Sequence, residues 1–323
     1  MPTVNITELV ATTLRNRSGV TADNISLNNA LLSRLQQKGN VVPADGGRVI
    51  TQPLLHAELS NFQWYSGYEA LDVSPNPVVD AAEFSWKQAA ANVVWSGLEI
   101  RVQNAGQQQQ IDLLESRMQA AEITMANQVA IGLYSDGTGS SGKQVTGLQA
   151  AIDSTPATGT YGGIDASVHT FWRNQAIVSA SVSVAGSGDL ERTMRQMWLS
   201  CTIGGETPDL IVTEDILYAE FWSQLQAIQR VTESDTAVRG FNSLKWVTAD
   251  VVYDGDTMAS ASAGQKMYFI NTNYLFFRPH TGTNFTSLDE RTPVNQDAHN
   301  VPMVFAGNLC SNHRRTQGVI ATA

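Results

Sequence analysis

Charge is scarce in this sequence. Only 15% of its 323 residues are charged, against roughly 25% in an average soluble protein. Ala, Ser, Thr, Asn, Gln and Gly fill the gap. Neutral polar groups cost little desolvation when another molecule covers them, so this composition suits a protein that buries much of its outside in neighbours. Basic excess is also missing: 20 Lys and Arg stand against 30 Asp and Glu, for a net charge of −10 and a pI near 4.9. The densest basic pair is Arg314-Arg315. A general nucleic-acid binder carries a basic patch, so direct DNA binding is not expected. An acidic wall around DNA is a different matter, because it repels phosphates and lets packed strands slide.

Cysteine is nearly absent as well. Cys201 and Cys310 lie far apart, with no metal-ligand spacing and no disulfide framework, and a reducing, cytoplasmic place of folding is expected. Met1-Pro2-Thr3-Val4-Asn5 has no basic segment followed by an apolar core, so no secretory leader is expected. There is no run of about 18 apolar residues, so no membrane span is expected.

Catalytic signatures are missing too. His56, His169, His280, His299 and His313 are all more than four residues apart, and neither His-Glu-x-x-His nor Gly-x-Ser-x-Gly occurs. Gly137, Gly142 and Lys143 fit G-x-x-x-x-G-K, but the next residue is Gln144, where a phosphate loop needs a hydroxyl for magnesium. The segment also follows a helical pattern instead of a strand. Asp112 with Glu115, and Asp289 with Glu290, read as solvated acids, and Cys201 as a buried small hydrophobe. The expectation is no enzyme, no cofactor and no metal.

What is present has a clear order. In residues 1–45, Ile6, Leu9, Val10 and Leu14, then Ile25, Leu27, Leu31, Leu32 and Leu35, could each line a short helix. Helices that short are marginal alone, so the segment reads as an arm that lies on something else, or as a small hairpin on its own domain. From Arg48 to Glu99 aromatics and β-branched residues dominate, interrupted by Asp72-Val73-Ser74-Pro75-Asn76-Pro77. Prolines cannot continue a ladder, so this reads as a long two-stranded excursion with a proline-rich tip. From Gln107 to Tyr134, Ile111, Leu114, Met118, Ala121, Met125, Val129 and Gly132 recur at steps of three and four. That spacing predicts one uninterrupted helix of roughly 40 Å. A Gly-rich loop follows. Next come Val168 to Val178 as a strand or short helix, helices over Leu190 to Leu199 and Asp215 to Gln229, and a buried strand over Pro208 to Thr213. Strand-rich runs over Leu244 to Tyr253, Lys266 to Phe277, Asn284 to Thr286, Val301 to Leu309 and Gly318 to Ile320 complete the chain.

Four stretches carry a resemblance: Leu133-Tyr134-Ser135-Asp136-Gly137-Thr138-Gly139 followed by Gly147-Leu148; Thr207-Pro208-Asp209-Leu210-Ile211-Val212 ahead of a helix; Met267 to Leu275; and Asn295 to Ala298 with Ala306 to Leu309. Taken in order, they resemble the major capsid proteins of tailed bacteriophages. The resemblance implies an α+β chain with the Hong Kong 97-like capsid fold: N-arm, extended β-hairpin loop, peripheral domain with a long spine helix, and axial α/β domain. Residues 1–45 would be the arm. Residues 46–60, 97–145 and 271–311 would form the peripheral domain, with the spine at 107–134. Residues 61–96 would be the extended loop, and 146–270 with 312–323 the axial domain.

The implied role is a head protein. It would assemble with itself into pentamers and hexamers of an icosahedral shell that encloses double-stranded DNA without reading its sequence. It would be found in the virion, after assembly in the host cytoplasm. Implied partners are a separate scaffolding protein, a portal and a decoration protein, with no membrane. Aromatic anchors at the subunit interface would be Trp64, Tyr65, Tyr68, Phe84, Trp86 and Trp95. One family member joins subunits through Lys-Asn bonds; Lys87 lies in the hairpin without a recognisable partner, and crosslinking is not expected. Competing readings are an encapsulin-type shell, a phosphate-binding enzyme built on Gly137 to Lys143, and a phage tail or decoration protein.

Overall fold

A computed structural model of the chain describes residues 29–99, 107–183, 189–224, 243–261 and 265–322. The first 28 residues of the expected arm, including its first helix, lie outside the described residues. The second arm helix is present as Ala30–Lys38 (α1). Asn29 Oδ1 accepts from Leu32 N at 2.8 Å to cap its start. Gly39, at φ 72°, closes its end, and Asn40 N donates back to Leu35 O.

Chain order then runs Ile50–Leu55 (β1), Val79–Phe84 (β2), Lys87–Ser96 (β3), Gln107–Tyr134 (α2), Leu148–Ala151 (α3), Thr160–Tyr161 (β4), Ile164–Asp165 (β5) and Gln175–Val178 (β6). After these come Asp189–Cys201 (α4), Leu210–Thr213 (β7), Asp215–Gln224 (α5), Ser243–Trp246 (β8), Ala249–Tyr253 (β9) and Gly255–Ala261 (α6). The chain ends with Lys266–Ile270 (β10), Leu275–Pro279 (β11), Thr286–Ser287 (β12), Ala298–Ser311 (β13) and Gly318–Ala321 (β14).

Two sheets organise the molecule. The larger is mixed, in the order β6-β14-β10-β7-β9-β8. Its central strands are buried on both faces, which is why they read as continuous apolar runs. On one face Ile211, Val251, Met267, Phe269 and Ile320 meet Leu190, Met194, Met197 and Trp198 of α4 and Leu217 and Phe221 of α5. On the other, Leu210, Val212, Val252, Tyr268, Ile270 and Val319 meet Tyr134, Leu148 and Ile152. The second sheet centres on β13, flanked by β3 on one edge and by β11 and β12 on the other. The 28-residue α2 passes beside this sheet. From residue 115 onward, the stripe positions Met125, Val129 and Gly132 are buried, while Met118 and Ala121 are half-buried.

Three expected runs divide in the structure. Leu244 to Tyr253 forms two strands around a tight turn, with Val247 at φ 56°. Lys266 to Phe277 splits between the two sheets, because Asn271 Oδ1 accepts from Asn273 N and turns the chain at Thr272–Tyr274. The long hairpin is shorter than the sequence suggests. β1 pairs only with β2, and β3 turns away to pair with β13 over its whole length.

Cys201 and Cys310 are buried and free, and burial pushes each thiol up to about 12. Among the described residues, no helix is long and apolar enough to cross a membrane.

Candidate subunit interface

The β1–β2 hairpin stands on its own chain through polar and aromatic anchors. Alternation turns Ala82 and Phe84 inward, so Phe84 is 3% exposed and packs edge-on against Tyr161 at 5.1 Å. Glu83 N donates to Gly162 O, and a side chain at Gly162 would strike the Phe84 ring. Trp86 is half-buried: its indole donates to Gly47 O at 2.9 Å and meets His280 edge-on. Trp95, also half-buried, stacks on His299, which pairs with Glu290. Arg117 of α2 reaches both Val94 O and the buried Glu99 carboxylate, the latter at 3.0 Å. The hydrogen bond from Arg117 holds Glu99 below the usual carboxylate range, against the upward push of burial.

Residues 56–78, the far end of the hairpin, contain no strand. Short polar links cross the loop: Ser60 to Asn76, Asn61 to Ser74 O, and Gln63 to Ala70 O. Its apolar side chains face solvent. Trp64 is 90% exposed, Tyr68 fully so, and Phe62, Tyr65, Leu71 and Val73 are exposed as well. Such a patch on a monomer marks an interaction site.

Of the six aromatic anchors expected from sequence, only Trp64, Tyr65 and Tyr68 are therefore free to meet another molecule in full. Phe84 is a correction: strand alternation commits it to the core of its own chain. Trp86, at the hairpin base, is engaged against His280, and Trp95, on β3 in the β13 sheet, against His299. Sequence reasoning missed Phe62, Leu71 and Val73 as surface groups. The signal was available in the prolines and Asn flanking them, which forbid a ladder and hence a buried face.

The Gly137-to-Lys143 segment fails as a phosphate loop in three dimensions too. It follows the C-terminus of α2. Ser140 and Ser141 adopt left-handed backbone at φ 53° and 59°, and Lys143 leads through a bend into irregular chain before α3. Among the described residues, no group of His, Cys, Asp or Glu could hold a metal ion.

No protein-family profile matches the sequence, and no curated protein is similar to it. Solved structures do match. The capsid asymmetric unit of cyanophage A-1(L) aligns over 96% of this chain and 98% of its own, with a TM-score of 0.67 and 16% identity. This chain has the Hong Kong 97-like fold. The capsid of Myoviridae phage XM1 shares that fold over 96% of this chain and 98% of its own, with a TM-score of 0.60 and 12% identity. The SrpI encapsulin of Synechococcus elongatus shares it over 94% and 92%, with a TM-score of 0.54 and 8% identity.

Proposed function

We propose that this chain is the major capsid protein of a tailed phage, a structural subunit and not an enzyme. The observation that carries the reading is the end-to-end match to capsid subunits, in which neither chain has a large part left over. In this reading the six-stranded sheet with α4 and α5 forms the axial domain, and wedges meet there as pentamers and hexamers. The β13 sheet and α2 form the peripheral domain. The β1–β2 hairpin is the extended loop, and it lies across the next subunit with Trp64, Tyr65 and Tyr68 as anchors. Many modest contacts, repeated around a closed shell, supply its stability. The acidic balance of the chain suits a wall around double-stranded DNA. The virion is then its location, and portal, scaffolding and decoration proteins are its partners.

The test is negative-stain electron microscopy of the purified protein, expressed with and without a scaffolding partner. Closed polyhedral shells, or separate pentamers and hexamers, are expected. A uniform small particle in both preparations overturns the reading. Deleting residues 70–80 is expected to leave a soluble subunit that forms no closed shells. An encapsulin matches at a lower TM-score, and the contents of the shell separate the two readings: packaged DNA for a phage head, an enclosed enzyme for an encapsulin.

A further inference from the structure

The segment between α3 and β6, residues 152–174, folds on itself around one aromatic pair. Trp172 is buried, stacks on Tyr161 at 6.2 Å and donates its indole N–H to Tyr161 O at 2.9 Å. Arg173 ties the far side, with Nε donating to Ala166 O and Nη2 to Ser167 O. The result is a small clasp whose tip is the β4–β5 turn at Gly162-Gly163.

That tip grips the β1–β2 hairpin. The two strands pair with each other and belong to neither large sheet, and a lone hairpin is marginal in water. On β2, Glu83 N donates to Gly162 O at 2.9 Å and Phe84 meets Tyr161 edge-on at 5.1 Å. Just past the end of β1, the His56 ring meets Phe171 at 5.4 Å. The clasp therefore touches both arms of the hairpin.

Arg314 lies beside the clasp, only 3% exposed. Its guanidinium carbon is 5.0 Å from the centre of the Tyr161 ring and 5.9 Å from that of Trp172. Nε donates to Ala151 O at 2.7 Å, and Nη2 donates to Ala150 O and to Asn174 Oδ1. These acceptors are neutral, so ring faces and carbonyl dipoles take up the buried charge. Arg314 also stands in the crossing from β13 to β14, residues 312–317. Gln317 pins that crossing: its amide exchanges two hydrogen bonds of 2.9 Å with the backbone of Asn271, which lies in the other crossing, from β10 to β11. One buried cation thus connects the joint between the two sheets to the seat of the hairpin.

We propose that Arg314 is a positioning residue for the β1–β2 hairpin: through Tyr161 and Trp172 it sets the angle at which the hairpin leaves its own chain. Its planar fork fixes the clasp in one orientation, and the clasp fixes β2. The role in assembly rests on the shell reading above, since that angle decides where the exposed tip meets a neighbour.

Spin-label distances test it on the full chain. Labels go on Val79→Cys in β2 and Ser200→Cys in α4, both exposed, and the native cysteines are buried. Labelled chain is diluted into unlabelled chain, so that only pairs within one subunit are read. Arg314→Lys keeps the charge but loses the planar fork, and is expected to broaden the distance distribution about twofold. Tyr161→Leu leaves Arg314 in place, removes both ring contacts, and is expected to broaden it as well; it carries the test if Arg314→Lys does not fold. Ile320→Val thins the core on the α4 face of the six-stranded sheet, so it is expected to lower the melting temperature and leave the distribution unchanged. An unchanged distribution in the Arg314 and Tyr161 variants overturns the proposal, as does equal broadening by Ile320→Val. Shell yield is read on the same variants, with a several-fold loss expected for the first two alone; broadened distances with undiminished shells overturn the role in assembly. If the unaltered chain forms no shells, the shell reading fails while the distances still decide what Arg314 does.

Discussion

The Tyr134 hydroxyl donates to Asp254 Oδ2 at 2.6 Å, and the same oxygen accepts from Ala30 N at 3.0 Å. One carboxylate thus joins the end of α2, the start of α1 and the turn into α6. Burial, reinforced by the Asp254 charge, pushes the Tyr134 phenol well above its ordinary range, so it remains a donor. Hydrogen bonds to charged groups are worth about 1.5–3 kcal/mol. Tyr134→Phe is therefore expected to lower the melting temperature of the unassembled subunit by several degrees, read by circular dichroism, with secondary structure retained. An unchanged melting temperature would remove Asp254 from its joining role.

Glu214 gives a prediction about pH. It sits between β7 and α5, buried, with Oε1 lacking a hydrogen-bond partner. Burial, and then the adjacent Asp215 charge, raise it to about 7, while Lys266 pulls it down. A carboxyl whose pKa rises on folding favours the folded state when protonated. Its contribution is complete below about 4.5 and is lost as pH climbs through about 7. Glu214→Gln, which fixes the neutral form, is expected to match the unaltered chain at pH 5 and to melt higher at pH 8. Equal melting curves at both values would mean that Glu214 ionises without strain.

Gly147 tests how tightly the loop after α2 is packed. A Cβ there would lie 2.4 Å from Gly132 O and 2.5 Å from the Leu133 carbonyl group, all backbone. No rotamer relieves a clash with backbone, so Gly147→Ala is expected to give insoluble protein or a loss above about 4 kcal/mol, the range reserved for severe lesions. Gly205→Ala is the control, with open space at the new methyl and no positive φ. Soluble protein and equal urea midpoints for both variants would contradict the close approach of residue 147 to α2.

Much of this architecture could be read from residue spacing. The steps of three and four from Met118 to Gly132 marked α2, and Leu31 with Leu35 marked the buried side of α1. The run at Leu210 to Thr213 identified a strand covered on both faces. What spacing cannot supply is the partner. Lys87–Ser96 alternates like a strand, but nothing in it points to Ala298–Ser311, some two hundred residues away. For that reason β3 was expected in the hairpin and is found elsewhere. The interface was legible in part for a similar reason. Phe84 and Trp64 are both large apolar residues in one aromatic-rich stretch, and only the structure separates them: the pairing with Ile50 turns Phe84 inward, while Trp64 lies in the strandless loop and faces solvent.

The attachment of α1 has a mechanical consequence. Asn29 bonds to Ala130 O of α2, Ala30 N to Asp254, Arg34 to Asp209 and Asp250, and Lys38 to Asp209. Farther on, Val42 N and Ala44 N donate to Phe277 O and Pro279 O. Tension on the residues that precede Asn29 is thus delivered to the joint where α2 meets the six-stranded sheet, and it is shared over these bonds before it reaches the hairpin. A neighbour pulling on that segment would turn the two sheets against each other like a lever at its fulcrum.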